Sequence, residues 1–342
     1  MKFWKMSAKH ADWRSAGWHL VLLIFAGIFA STLAFPQATT LHTQSNVVLV
    51  PALVKDQSGG AVYGLQAKDF VIEDDGVAQT VHLDEEAEGQ PVSLVIAVQR
   101  GRRANYEFPR MRGLSSMIEP LTEQGQARIA LVEFDSGVNV TREFTKDPSL
   151  IADDLGNLQP GDGGAAILDA VFFAQTLLDK ESPDRKKVLL LVSETRDHGS
   201  ALDKKSDDII AALGNSNTVV YALAFAPSRS NVLDTARFNN LNEMHPLPDL
   251  LAPLVMAREA MRKNTPKTVA EMTGGEYQLF STHKNFDLRM NDFTNHLHSR
   301  YLLNFEPKNP HPGLHRLTVR LAVTKNYSVL ARTSYWAKGA TE

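Results

Sequence analysis

A chain of 342 residues with a net charge of −3 and 22% charged residues has room for two or three domains, and its lack of a basic excess argues against a nucleic-acid binder. It contains no cysteine, which excludes disulfides, thiolate catalysis, thiolate metal sites and a lipidated cysteine anchor. Its 43% hydrophobic content is ample for packed cores.

The first element is an export segment. Lys2, Lys5, Lys9 and Arg14 precede the apolar run "WHLVLLIFAGIFASTLAF", in which Thr32 and Ala34 are small residues at the −3 and −1 positions of a cleavage after Ala34. This predicts a signal peptide over 1–34, or an uncleaved membrane anchor, since the run approaches the ~20 residues needed to span a bilayer. Either way the remainder is expected outside the cytoplasm, periplasmic or secreted, and touching a membrane only through this segment.

Residues 45–90 read as short strands with turns: "NVVLVPALVKD", "SGGAVYGL" and "DFVIEDDGVAQTVHL". Asp75-Gly76 between alternating runs predicts a two-residue hairpin. This piece is too small to close a β-domain alone, and "RYLLNFEP", "HRLTVRLAV" and "YSVLARTSYW" near the C-terminus supply more alternating strands. The two ends, 45–90 plus 300–338, are expected to form one discontinuous β-sandwich into which 91–299 is inserted.

The inserted part alternates strands and helices. Strands are predicted over 94–98, 128–134, 138–144, 188–193, 219–225 and 277–280, and helices over 111–123, 166–179, 206–213, 250–263 and 286–298. That order predicts an α/β fold: a doubly wound, mostly parallel sheet, with a hairpin at Asp135-Ser136-Gly137 adding one antiparallel edge strand. The strand at 94–98 is apolar throughout, as a strand buried on both faces must be. It ends in Gln99, Arg100, Gly101, Arg102 and Arg103.

The stretches "GLQAKDFVIEDDGVAQTV", "GDGGAAILDAV", "AEMTGGEYQLFS" and "SRYLLNFEP…HRLTVRLAV…VLARTSYW" together resemble the von Willebrand factor type A-related proteins of acidobacteria, exported proteins in which a type A domain is flanked by β segments. The resemblance covers about 290 residues, from Val47 to Trp336, and rests on the order of the motifs. It implies a ligand site at the strand ends, a metal-ion-dependent adhesion site built from Asp-x-Ser-x-Ser, a Thr in a glycine-rich turn and a later Asp. Such a site offers a hard divalent cation oxygen ligands and leaves a position open for a partner's carboxylate.

All five ligand positions are substituted here. Gln99 stands for the first Asp, Gly101 and Arg103 for the two Ser, Ala165 for the Thr and Glu194 for the last Asp. Losing three hydroxyls and gaining arginines predicts a degenerate site that holds no metal, with no cofactor expected elsewhere. Arg103 is expected to pair with Glu194, leaving Arg100 and Arg102 for an acidic group on a partner. Asp162 is expected to be solvated and Asp169 to hold the turn, while Asp197 reads as a loop carboxylate. His296 and His298 are two apart on a predicted helix, a poor ligand spacing. Pro246 and Pro248 precede "DLLAPLVMAREAM", where Leu250, Leu251, Leu254, Val255 and Met256 form one apolar side, packed on the sheet or docking a partner.

No nucleophile-base-acid trio has a motif around it. The sequence therefore predicts an exported, non-enzymatic protein-interaction module that binds an unidentified protein partner without metal. The competing reading is a Mg²⁺- or Mn²⁺-dependent adhesion protein coordinating through Glu194, Asp197 and Asp169.

Overall fold

The computed structural model describes residues 47–85, 89–101, 104–111, 114, 118, 121, 127–199, 206–225, 252–308, 310–323 and 326–338. The predicted export segment, most of the predicted 111–123 helix, and Arg102 and Arg103 lie outside these residues.

Fourteen strands are described: β1 (Val48–Lys55), β2 (Phe70–Asp74), β3 (Val77–Ala78), β4 (His82–Leu83), β5 (Val92–Gln99), β6 (Arg128–Phe134), β7 (Val138–Thr145), β8 (Lys186–Ser193), β9 (Val219–Phe225), β10 (Tyr277–Phe280), β11 (Tyr301–Phe305), β12 (Gly313–Leu321), β13 (Ser328–Ala331) and β14 (Ser334–Ala337). Six form a sheet in the order β10-β9-β8-β5-β6-β7, parallel except for the β6–β7 hairpin at one edge. All eight residues of β5 are buried, which is why its apolar run is unbroken. From β5 the chain passes first to β6 on one side and then to β8 on the other. The strand order therefore reverses at β5, and a crevice opens beyond its carboxyl end.

Helices cover both faces of this sheet. On one, Phe286, Met290, Phe293 and Leu297 of the helix His283–Leu297 pack with Leu94, Ile96 and Val98. On the other, the helices Ile167–Asp179, Ser206–Asn215 and Thr265–Thr273 pack on Val95, Ala97 and their neighbours. Besides the single turn Ala104–Glu107, two helices fall outside the predicted set, Pro148–Gly156 and Thr265–Thr273. Each starts at a side-chain cap, where Asp147 accepts from the Ser149 amide and Asn264 from the Lys267 amide.

The remaining strands form two four-stranded antiparallel sheets, β13-β1-β11-β4 and β14-β12-β2-β3. Each sheet mixes strands from both ends of the chain, and one apolar core between them joins Val50, Ala52 and Val54 to Phe70, Ile72, Phe305 and Leu317. This is the discontinuous sandwich that the alternating terminal strands predicted. Its β2–β3 turn holds Asp75 at φ 47° and Gly76 at φ 83°, both left-handed, as a two-residue hairpin of the mirror-image type needs. Residues 46–342 form one compact unit, so the sandwich and the α/β part are in firm contact.

The helix Ala252–Lys263 splits its apolar residues. Leu254 and Ala257 pack on the sheet's helical layer and Met261 is buried, whereas Val255 and Met256 are exposed. Among the described residues no helix is long and apolar enough to cross a membrane.

Candidate functional site at the end of the central strand

The site begins where β5 stops. Gln99 is fully buried, and its side chain is spent on the backbone: Oε1 accepts from the Glu194 amide at 2.8 Å, and Nε2 donates to the Gly101 carbonyl at 3.3 Å. The ends of β5 and β8 are thereby locked side by side. Arg100 turns back toward β6, with its guanidinium 3.0 Å from Asp135 Oδ2 and 3.8 Å from Glu133 Oε2. Its side chain remains 31% exposed. Sequence reasoning assigns Arg100 to a partner; the structure gives it an internal carboxylate first. Asp135 was legible only as part of a hairpin turn, because no local pattern ties it to a strand end 35 residues earlier.

The glycine-rich turn folds directly onto this end. A Cβ on Gly101 would collide with the Gly164 carbonyl oxygen and come within 2.8 Å of Asp135 Cβ. The position that would carry the first adhesion-site hydroxyl therefore has no room for a side chain. Gly161 donates its amide to the Arg100 carbonyl at 2.9 Å, and Ala166 donates to the Asp135 carbonyl at 2.7 Å. Asp162 is exposed yet far from idle. It accepts from the Ser136 and Gly164 amides at 3.0 and 2.8 Å and from the Ser136 hydroxyl, bonds that hold its carboxyl below the usual range. The expectation of a merely solvated Asp162 is corrected: three donors converge on it and clamp the turn.

The third wall is the segment after β8. Glu194 is buried and its Oε1 meets His198 Nε2 in a short contact. His198 also exchanges two backbone bonds with Ala165, at 2.9 and 3.0 Å. Gln99, Glu194, His198 and Ala165 thus form a continuous run of contacts along the crevice. The Glu194 carboxylate assigned to Arg103 is engaged by His198, while the Arg103 pairing itself falls outside the described residues, as do the roles of Arg102 and Arg103 toward a partner. His198 escaped sequence reasoning because a lone histidine after a strand carries no periodic signal.

Asp197 caps a helix rather than lying in a loose loop. Its Oδ1 accepts from the Leu168 amide at 2.8 Å at the start of Ile167–Asp179. Burial pushes its carboxyl up despite that bond, and the charge of Asp169 adds to the effect. Asp169 itself is buried in the helix's first turn. His296 and His298 do not converge: His296 Nδ1 lies 2.9 Å from Glu276 Oε1, and burial pushes the His298 ring down.

A hard divalent cation does not fit these residues. Gln99 Oε1 already holds an amide, Gly101 and Ala165 offer no side-chain oxygen, and Glu194 is engaged by His198. Nor do Glu194, Asp197 and Asp169 form a ligand cluster: among the described residues the group whose donor atoms lie within 4.8 Å of one another is Asp75, His311 and His315, in the sandwich.

Residues 102–196 match the family model of the von Willebrand factor type A domain. No curated protein matches the sequence. Among solved structures, the chain is similar to the von Willebrand factor domain of the type V pili tip protein Mfa5 from Porphyromonas gingivalis, with 19% identity, a TM-score of 0.29 and coverage of 32% of this chain and 39% of that one. It is similar to an aerotolerance-related membrane protein from Bacteroides fragilis, with 15% identity, a TM-score of 0.41 and coverage of 60% and 98%. A third likeness is to the PilB minor pilin of Streptococcus sanguinis, with 12% identity, a TM-score of 0.41 and coverage of 61% and 62%. The chain thus spans well under half the length of the pili tip domain it matches.

Proposed function

We propose that this chain, whose residues 102–196 match the model of the von Willebrand factor type A domain, is an exported, non-enzymatic protein-interaction module whose strand-end site engages a protein partner without a divalent cation. The observation that supports this most is the closure of the β5 end. The Gly164 carbonyl fills the volume beside Gly101, and His198 answers Glu194 where a cation would need that carboxylate. A type A crevice closed in this way offers a partner a preorganised polar surface instead of an open coordination position.

The partner chemistry that fits is acidic. Arg100 stays partly exposed while held by Asp135, so its fork is fixed in direction at little further entropic cost. Arg102 and Arg103 follow in the sequence and add positive charge at the same chain position. Export of the module rests on the basic-then-apolar pattern of residues 2–35.

Two measurements test this. Calorimetry with Mg²⁺ and with Mn²⁺ should show no saturable uptake, and envelope or medium proteins cross-linked to the tagged full chain should be the same with and without Mg²⁺ in the buffer. Arg100→Glu should reduce that cross-linking at least tenfold. Mg²⁺ uptake abolished by Glu194→Gln would establish the metal-dependent adhesion reading instead.

A further inference from the structure

The type A crevice leaves unused a group of polar side chains in the sandwich, at the β2–β3 turn and the start of β12. The β2–β3 turn places Asp75 in the left-handed region, and its Oδ1 accepts from the Arg316 amide at 3.0 Å. The segment "HPGLH" enters β12 opposite this turn and brings His311 and His315 together as stacked rings 3.8 Å apart. Asp75 Oδ2 lies 3.1 Å from His311 Nε2 and 3.0 Å from His315 Nδ1. Asp74 Oδ1 lies 3.0 Å from the same His315 Nδ1, and its other oxygen accepts from the Tyr335 hydroxyl at 2.8 Å.

The second nitrogen of each ring faces a carbonyl. His315 Nε2 is 2.7 Å from the His311 carbonyl oxygen, and His311 Nδ1 is 3.4 Å from that of Pro312. A carbonyl only accepts, so the 2.7 Å contact puts a hydrogen on His315 Nε2, whereas the longer His311 contact fixes no tautomer. In a neutral ring the opposite nitrogen then presents a lone pair. In His315 that lone pair is directed at Asp74 and Asp75 oxygens 3.0 Å away, an arrangement that is repulsive unless a proton or a metal cation lies between them. A proton on His315 alone meets Asp74 and Asp75 and leaves His311 Nε2 to donate to Asp75; a metal dication is the other occupant of the same space. A single divalent cation answers both nitrogens and the carboxylates together.

We infer that Asp75, His311 and His315 form a binding site for a transition-metal dication of the Zn²⁺ type, with Asp74 in reach as a further carboxylate. Two imidazoles and a carboxylate suit such an ion and suit Mg²⁺ or Ca²⁺ poorly. The His311 carbonyl fixes the His315 tautomer from behind, and the Tyr335 hydroxyl orients Asp74, the outer support that bound metals need. His315 is buried, whereas His311 and Asp75 are about one-third exposed, so the ion has a rigid floor and an entry path. Its effect would be to staple the β2–β3 hairpin to β12.

The test uses chelator-treated full-length protein and ZnCl₂ alone. Calorimetry should show one saturable site with a Kd in the micromolar range or tighter, together with a rise in melting temperature that excess EDTA reverses. His311→Ala, at a partly exposed position, should keep the far-ultraviolet dichroism of the parent and weaken that site at least tenfold. X-ray absorption of the loaded protein should show imidazole scattering from two ligands. No saturable Zn²⁺ uptake, or uptake of equal affinity in His311→Ala, overturns the site. Neither result bears on the strand-end crevice, which is read with Mg²⁺ and Arg100.

Discussion

At the scale of single residues, substitution and packing tell the same story from different sides. Gln99, Gly101, Ala165 and Glu194 stand out in the sequence only against the metal-binding pattern that the resemblance implies, because ligand chemistry depends on residue type and spacing. The groups that surround these positions were not legible, since Asp135, Ser136 and His198 come from turns whose meeting depends on the tertiary fold. Gly101 shows why reversion is blocked. Gly101→Ser forces a side chain into the Gly164 carbonyl and should cost about 1–3 kcal/mol by overpacking, measurable as a lower urea midpoint. The combined reversion Gln99→Asp, Gly101→Ser, Ala165→Thr and Glu194→Asp should still fail to take up Mg²⁺ in calorimetry. Asp197 gives a second test, with the opposite sign to an ordinary paired carboxylate. Its pKa is raised in the fold, so ionising it weakens the fold as pH climbs past its unfolded value of 3.8. Asp197→Asn keeps an oxygen for the Leu168 amide and should flatten that slope, whereas Asp197→Ala loses the cap and should cost about 1 kcal/mol at neutral pH.

At the scale of elements, period and burial decided what could be read. The strands 128–134, 219–225 and 277–280 are where their apolar runs put them. The two helices that periodicity did not reveal have physical reasons for their silence. Pro148–Gly156 buries only Ile151, so it has almost no apolar stripe. Thr265–Thr273 has the reverse problem. It is buried nearly all round, and three of its buried positions are threonines whose hydroxyls bond back to carbonyls in the preceding turn. Satisfied threonines look polar in sequence while behaving as core. Both helices nevertheless announce their starts with a capping side chain and an early proline, "KDPS" and "KNTP". Asn264→Ala removes the bond to the Lys267 amide and the 2.9 Å bond to the Tyr277 hydroxyl. It should lower stability by about 1–2 kcal/mol for the cap and the side-chain bond together, with faster hydrogen exchange in the first turn of that helix.

At the scale of the whole molecule, the question is why residues 46–342 behave as one unit when the sequence divides into a sandwich and an insert. Two buried charged groups tie the parts together. Arg332, from the segment between β13 and β14, donates to the Leu49 and Ser334 carbonyls of the sandwich and to the Leu213 and Gly214 carbonyls of the helix Ser206–Asn215. Burial pushes its guanidinium down to about 10, a sign of how fully it has left water. Glu276, just before β10, gathers Lys55 of β1 at 3.3 Å, His296 at 2.9 Å and Arg300 at 3.4 Å. Burial alone would raise its carboxyl, but these donors outweigh it and hold the group below its ordinary value of 4.5. Its stabilisation is therefore complete above that pH and is lost as pH falls through the lower folded value. Glu276→Gln should cost about 3 kcal/mol at pH 7, by denaturant melts, and the gap to the parent should narrow as pH falls below 4.5. Deletion of residues 300–342 removes β11–β14 and both arginines at once. β1 then loses its two neighbours, β11 and β13, and β2 loses β12. An antiparallel pair stripped of its sheet is not stable in water, so residues 47–85 should become protease-sensitive in the truncated chain. The α/β part should not survive intact either, because the Gly214 carbonyl and Glu276 would be buried without their arginines. Limited proteolysis followed by mass analysis decides the matter: a resistant 91–299 fragment from the truncated chain would show that the insert folds without the sandwich, and that the buried arginines join two independent domains.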